Sequence, residues 1–359
     1  MKIKTITLTL VFSTFLSLHC LAGGPPANYE GERDVRAEYS DFKNHHLLDN
    51  HSFKLFKYET EEGTKYVSFP LPIILWDNGI QTFLSSRFYF GKKVVEHNNG
   101  SYYKLYHNKI YKTDELGTIN YDENEKVLNE KPLDFSITKN VVLILICLAL
   151  MIVIFGRMAK SYKNNPIPTG IGRLLEPIVL YIRDDIARPN IGEKHYKRYM
   201  SFLLTVFFFI WIVNLFGLTP MGSNVTNNIA VTASLAILTY LITTFTANKG
   251  YWGHIFWMPG VPVPMKILLA PIELLGTIIK PFSLMIRLYA NITAGHVVLM
   301  SILGLIFIFK NLLGGTLSFG LAFALSLLEL LVCALQAYIF TMLSALYFGS
   351  AVEEHHDEH

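Results

Sequence analysis

Of the chain's 359 residues, 51% are hydrophobic and only 16% charged; a soluble domain of average composition carries about a quarter charged residues, so an ordinary soluble globular protein is excluded. A net charge of +3, with no basic tract interleaved with aromatics, gives no basis for nucleic-acid binding. The charges are also unevenly placed: residues 23–137 hold 14 basic and 18 acidic side chains, while the longer 138–359 holds 15 and 10. Two materials therefore meet near residue 137.

The first element is an export signal over 1–22. Lys2 and Lys4 precede an apolar run, Thr5 to Leu18, and Cys20-Leu21-Ala22 offers small residues ahead of Gly23-Gly24-Pro25-Pro26. A lipoprotein reading of Cys20 is disfavoured because His19 stands where such sites take a small residue. Beyond the signal only Cys147 and Cys333 remain, each in an apolar run, which excludes a disulfide framework and a CxxC metal or haem site.

Residues 23–137 form a polar arm. It carries 19 of the chain's 48 Phe, Tyr and Trp residues, enough bulky surface to fold. Strand-like runs at Lys54–Tyr58, Lys65–Phe69, Thr82–Phe90 and Tyr102–Tyr106 alternate with turn signals at Glu62-Gly63, Asp77-Asn78-Gly79 and Asn98-Asn99-Gly100, which predicts a small β-rich unit. His45, His46, Asp49 and His51 raise the question of a metal, but with no second ligand group at diagnostic spacing they read as a polar surface loop.

The membrane part is expected over 138–349. Val141–Phe155 with its flanks is the first span, since crossing about 30 Å of hydrocarbon takes roughly 20 helical residues. Gly156–Arg198 holds nine basic against four acidic residues and is expected to be a cytoplasmic loop by the positive-inside rule. Two further spans, Phe202–Leu218 and Ile229–Ala247, are joined by the uncharged Thr219–Asn228, which suits the outer face. Gly250–Pro264 reads as a Gly/Pro-rich turn on the inner side. Met265–Lys310 and Thr316–Gly349 would be helices of about 69 Å and 51 Å at 1.5 Å per residue. Neither can stand upright in a bilayer, so both must slant, with Pro271 and Pro281 as expected bending points. A cytoplasmic tail, 350–359, closes the chain.

Ionisable groups inside spans are costly and mark function by default. The slanted pair holds five: Glu273, Lys280, Arg287 and His296 on the first helix and Glu329 on the second. At about 100° per residue, Glu273, Lys280, Ser283 and Asn291 fall within about 40° of Arg287, whereas His296 falls about 180° away. Glu329 and Gln336, seven apart, make a second polar stripe. A guanidinium that stays charged, with polar tracks reaching it on different faces, suits two aqueous half-channels that do not connect directly. Lys280 reads equally as a residue snorkelling to the inner surface, and Glu273 as lying near it. For His296 and Glu329 a structural ion pair and a proton relay are both open.

These residues carry a resemblance. Pro281-Phe282-Ser283-Leu284-Met285-Ile286-Arg287-Leu288-Tyr289-Ala290-Asn291-Ile292-Thr293-Ala294-Gly295-His296, Leu335-Gln336-Ala337-Tyr338-Ile339-Phe340 and Asn214-Leu215-Phe216-Gly217-Leu218-Thr219-Pro220 are similar to subunit a of the F-type ATP synthase. The resemblance covers about 138–349 and implies an all-α polytopic membrane protein of about five transmembrane helices, the last two long and steeply tilted, behind a small β-rich or mixed extracytoplasmic arm. It implies a stator in the bacterial inner membrane, beside the c-subunit ring and the peripheral-stalk b subunits, with no cofactor, a periplasmic arm and a cytoplasmic C-terminus. Arg287 would face the ring carboxylate, Asn291 and Gln336 would line the path near it, and Glu273 and Ser283 match positions of the cytoplasmic half-channel. Some bacterial members have Glu where His296 stands and His where Glu329 stands, so the two groups resemble an exchanged pair. The arm has no counterpart in the compact form of that family.

Other classes fit less well. No HExxH, GxSxG or GxxxxGK[ST] occurs, so neither an intramembrane protease nor a nucleotide site is indicated and no catalytic site is expected. A transporter working alone would show inverted repeats with broken helices in both halves, and none is seen.

Overall fold

A computed structural model describes residues 49–353, apart from 61–62, 92, 97–99, 124–125, 165–166, 168–169, 220–224, 259–260 and 309–311. The export signal, the first part of the arm with His45 and His46, the turn at Asn98-Asn99 and the tail 354–359 lie outside the described residues. Two compact units are distinguished, one around the strands and one around the long helices, with the division falling inside the first long helix between Leu145 and Ile146.

The strand unit opens with β1 (Ser52–Thr60) and β2 (Gly63–Pro70), an antiparallel hairpin with a register shift between Lys54 and Phe56. A second sheet takes β3 (Pro72–Trp76), β4 (Ile80–Leu84) and, after the third sheet in sequence, the short Leu133–Asp134, in the order β4, β3, Leu133–Asp134. The third sheet is β5 (Val95–Glu96), β6 (Tyr102–Tyr106) and β7 (Lys109–Thr113), after which Leu133–Asp134 is numbered β8. Turn chemistry fixes these hairpins. Asn78 (φ 51°) and Gly79 (φ 132°) close β3 onto β4, and His107 (φ 45°) with Asn108 (φ 60°) makes the two-residue turn between β6 and β7, both central residues having the positive φ such turns need. The run expected as one strand over Thr82–Phe90 is divided instead: β4 ends at Leu84 and a 3-10 segment, Ser85–Gly91, follows, with Tyr89 at φ 45° and Gly91 at φ 87°, values outside the strand region.

Ile73, Leu75, Phe83, Phe88, Val95, Tyr103 and Ile110 form the core of this unit. Burying Tyr103 leaves its hydroxyl to be satisfied, and it donates to Asp77 Oδ2 at 2.9 Å, an oxygen that also takes Lys112 Nζ at 2.9 Å. Beneath β3 the chain is stitched to the helix that follows. Phe135 and Ile137 donate backbone N–H groups to the carbonyls of Ile74 and Pro72, Lys139 donates to the carbonyl of Asn50, and Asn140 N–H donates to Asp49 Oδ1. Buried His51 shares a 2.7 Å hydrogen bond with Asp134 through Nε2.

The helical unit is built from α1 (Lys139–Asn164), α2 (Gly172–Tyr181), a π-helical turn (Ile182–Ala187), α3 (Arg188–Ile191), α4 (Tyr196–Gly217), α5 (Ile229–Thr246), α6 (Lys249–Phe256), α7 (Val263–Ile308) and α8 (Leu312–Val352). Five of these, α1, α4, α5, α7 and α8, are long and apolar enough to cross a membrane, the architecture of a polytopic membrane protein. Two sequence expectations are corrected. The charged loop 156–198 is largely helical, because apolar residues such as Ile182, Ile186 and Ile191 recur among its charges and are buried. The turn expected at Gly250–Pro264 holds α6. Pro271 and Pro281, the expected bending points, both lie inside α7, which runs through them.

α8 packs on α7, α4 and α5. Its C-terminal end is held twice. Asn248 donates its backbone N–H to the carbonyl of Ala351 at 2.8 Å and its side-chain amide to that of Val352 at 3.0 Å, satisfying carbonyls that a helix end leaves without partners. Nearby, Gly349 lies so close to α3 that a Cβ built on it would stand 1.8 Å from the Asn190 carbonyl oxygen.

Candidate functional site

α7 sorts its residues by face. Leu284, Leu288 and Ile292, four apart, are buried and form its packed row. Ser283, Arg287 and Asn291 each precede one of these and so form a parallel row, with Ser283 and Asn291 exposed and Arg287 half-buried. Next to them Phe282 and Ile286 are exposed, and on α8 Leu328, Leu331 and Leu335 are exposed as well. Arg287 is therefore at the border between packing and an uncovered apolar face. Among the described residues it makes no hydrogen bond or ion pair.

Among the described residues two polar ties join α7 to α8. Asn291 Nδ2 donates to Gln336 Oε1 at 2.8 Å. One and a half turns further along α7, His296 Nδ1 lies 3.2 Å from Glu329 Oε1, and both side chains are buried. Gly295 makes room for this pair: a Cβ there would meet Glu329 Oε1 at 3.4 Å, so a larger side chain would press on the carboxylate. Among the described residues Glu329 Oε2, Gln336 Nε2 and Asn214 Nδ2 are buried without a hydrogen-bond partner, and polar atoms of this kind are what enclosed water satisfies.

The expected site residues thus fall into groups. Asn291 meets Gln336 and His296 meets Glu329, while Ser283 and Arg287 share the exposed row. Glu273 is half-buried, fourteen residues before Arg287 on the same helix, and is not drawn into either tie. Lys280 lines a recess with Thr239 and Thr243 of α5, Tyr251 of α6, Thr277 of α7 and Tyr347 of α8, and its Nζ lies 5.8 Å from the centroid of the Tyr347 ring.

Sequence reasoning did not single out a further polar cluster. Thr226 donates to Asn214 Oδ1 at 2.7 Å and Thr293 donates to Asn227 Oδ1, linking the end of α4, the 3-10 turn Val225–Asn227 and α7. Asn214 had a visible signal, an amide inside an apolar span. Thr226 and Asn227 had none, because threonine and asparagine are ordinary loop residues.

Residues 141–349 match the ATP synthase A chain family, and residues 42–135 match a domain of unknown function. The chain is similar to ATP synthase subunit a of Chloroherpeton thalassium, 46% identical over 233 residues that cover 63% of this chain and 70% of that protein. It is also similar to ATP synthase subunit a of Myxococcus xanthus, 41% identical over 233 residues, 63% of this chain and 77% of that protein.

Proposed function

Because this chain belongs to the ATP synthase A chain family, we propose that it is the proton-translocating stator subunit of a rotary ATP synthase, working against a ring of c subunits and held by peripheral-stalk b subunits. The observation that carries this reading is the position of Arg287, half-buried at the edge of an open apolar face and without a hydrogen bond or ion pair among the described residues. A guanidinium placed so offers itself to a carboxylate outside the chain. It stays charged at any working pH, so it favours the ionised carboxylate while relaying no proton itself.

Protons enter past His296 and Glu329, both titratable and in contact, with Asn214 and the unpartnered oxygen of Glu329 holding water along the way. Asn291 and Gln336 orient the route close to Arg287. A ring carboxylate picks up the proton, turns away through lipid, and returns from the other side to the track of Ser283 and Glu273, where Arg287 draws the proton off by stabilising the anion. Arg287 thus separates two half-channels. Each unit charge crossing 100 mV supplies about 2.3 kcal/mol, and several per turn drive ATP formation in the partner sector. The arm at 23–137 is periplasmic in this reading, the domain at 138–349 spans the bacterial inner membrane, and 350–359 is cytoplasmic.

Arg287→Ala should abolish ATP-driven proton pumping in inverted vesicles while the chain still copurifies with a c-ring. Pumping at the normal rate would refute the role of Arg287, and failure of the unaltered chain to copurify with a c-ring would refute the assignment as a whole.

A further inference from the structure

We infer that the sheet formed by β3, β4 and β8 lies with its outward face on the bilayer surface at the N-terminal end of α1, so that the strand unit is a lipid-docked cap. In the antiparallel register, Pro72 pairs with Leu84, Trp76 with Ile80, and Trp76 on its other side with Leu133. Side chains of paired residues share a face of the sheet. Ile73, Leu75 and Phe83 point into the core, and the alternate positions point out. A sheet with one face on its core normally presents polar residues on the other. Here none of the outward positions of β3 and β4 is charged, and Trp76, Ile80, Leu84, Leu133 and Phe135 are each at least half exposed, from 50% to 66%. A contiguous apolar face of this size marks an interaction surface.

The occupant follows from where the sheet is tied. Ile137 N–H bonds the Pro72 carbonyl and Phe135 N–H bonds that of Ile74, while α1 begins at Lys139 and is apolar from Val141. At about 3.3 Å per residue, Ile137 is within about 7 Å of the start of the helix. The headgroup layer on each side of the hydrocarbon is roughly 5–8 Å deep. The Pro72–Leu84 end of the sheet is therefore held at headgroup level by backbone hydrogen bonds from the residues that lead into the span. Trp76 is the side chain most favoured at such an interface. The inference concerns lipid contact alone and does not depend on which ion the helices carry.

The test uses the full chain in its assembled complex, reconstituted in phosphatidylcholine vesicles. Native cysteines are replaced and one new cysteine is introduced by Ile80→Cys, or by Leu84→Cys as a second site, and labelled with an environment-sensitive nitrobenzoxadiazole probe; Leu116→Cys, at a residue 87% exposed and outside this sheet, is the reference. Quenching at positions 80 and 84 by lipids carrying a shallow nitroxide, together with iodide quenching several-fold weaker than at 116, is the expected result. Iodide quenching equal to that at 116 would show a free face and overturn the inference. Shielding from iodide without quenching by the nitroxide lipid would show a protein covering the sheet and overturn it as well.

Discussion

In the strand unit, Asp77 has Lys112 Nζ and the Tyr103 hydroxyl each at 2.9 Å, and Asp134 meets His51 at 2.7 Å. Along α7, Ser283, Lys280 and Arg287 have no hydrogen bond or ion pair among the described residues, and Lys280 Nζ lies 5.8 Å from the centroid of the Tyr347 ring. These carboxylates are partly exposed to solvent, so each match adds only modestly to stability while fixing the shape of the sheet it belongs to. Charges left open along a helix face are available to something that comes and goes. His296 and Glu329 stand between the two cases: matched in geometry like His51 and Asp134, yet placed between two long apolar helices, with a second Glu329 oxygen buried and without a hydrogen-bond partner among the described residues.

The strongest way to break this contrast is to ask whether the His296–Glu329 pair is a static tie. Glu329→Gln should lower proton pumping at least about tenfold, equivalent to about 1.4 kcal/mol of barrier, in a complex that still assembles. The exchange His296→Glu with Glu329→His should pump better than either single change; equal loss in all three would make the pair structural. Gly349→Ala is expected next in size, and on assembly instead of pumping chemistry. Its new Cβ cannot coexist with the Asn190 carbonyl at 1.8 Å, so α8 and α3 must separate at a cost of about 1–3 kcal/mol. A lower yield of intact complex in detergent would show it, and an unchanged yield would mean that this approach is not required.

In the strand unit the matched pairs should affect stability alone. Asp134→Asn is expected to loosen β3 and β8 by about 1–3 kcal/mol, seen as faster amide exchange at Ile74 and Phe135, with pumping near normal; lost pumping with unchanged exchange would reverse the contrast. The smallest effect is that of acid. Burial pushes the Asp134 carboxyl up, but its hydrogen bonds with His51 and Ser136 outweigh this and hold it below its ordinary 3.8. A lowered folded value means that stability is complete above pH 3.8 and is lost as pH falls through the lower value. Asp77, lowered chiefly by Lys112, behaves the same way. Amide exchange in β3 should therefore be flat from pH 7 to about 4, after correction for intrinsic rates, and open below. Opening that began near pH 6 would point to another group.

How much was legible in the sequence follows the range of the forces involved. Apolar runs that exceed the thickness of a bilayer announce themselves, and the five long helices were read within a few residues except at Gly156–Asn164, where α1 continues past Arg157, and at Tyr196–Ser201, where α4 begins ahead of the expected span. The row of Ser283, Arg287 and Asn291 was legible because helix periodicity is local. The helices hidden in 156–198 were not, since their apolar residues are spaced between charges that read as a loop. β3 escaped notice because Pro72-Ile73-Ile74-Leu75-Trp76 shows no alternation when both faces of the strand are apolar. Contacts such as Thr226 with Asn214, and Gly349 with Asn190, join positions far apart in the chain, and no local pattern encodes them. The match of Asn291 to Gln336 lies between these extremes: each residue was readable as polar in a span, but their pairing needed the register of α7 against α8.

The fastening of α8 at its C-terminal end also has a mechanical meaning. A rod clamped at one end deflects sideways as the cube of the distance from the clamp, and α8 is about 62 Å long at 1.5 Å per residue. Asn248 grips it at Ala351 and Val352, and Gln336 stands only about 24 Å along the helix from Val352. A sideways push from a turning neighbour would bend the distant Leu312 end most and disturb the junction of Gln336 with Asn291 far less, so α8 is stiffest over the stretch that faces Asn291 and yields where it carries no tie to α7.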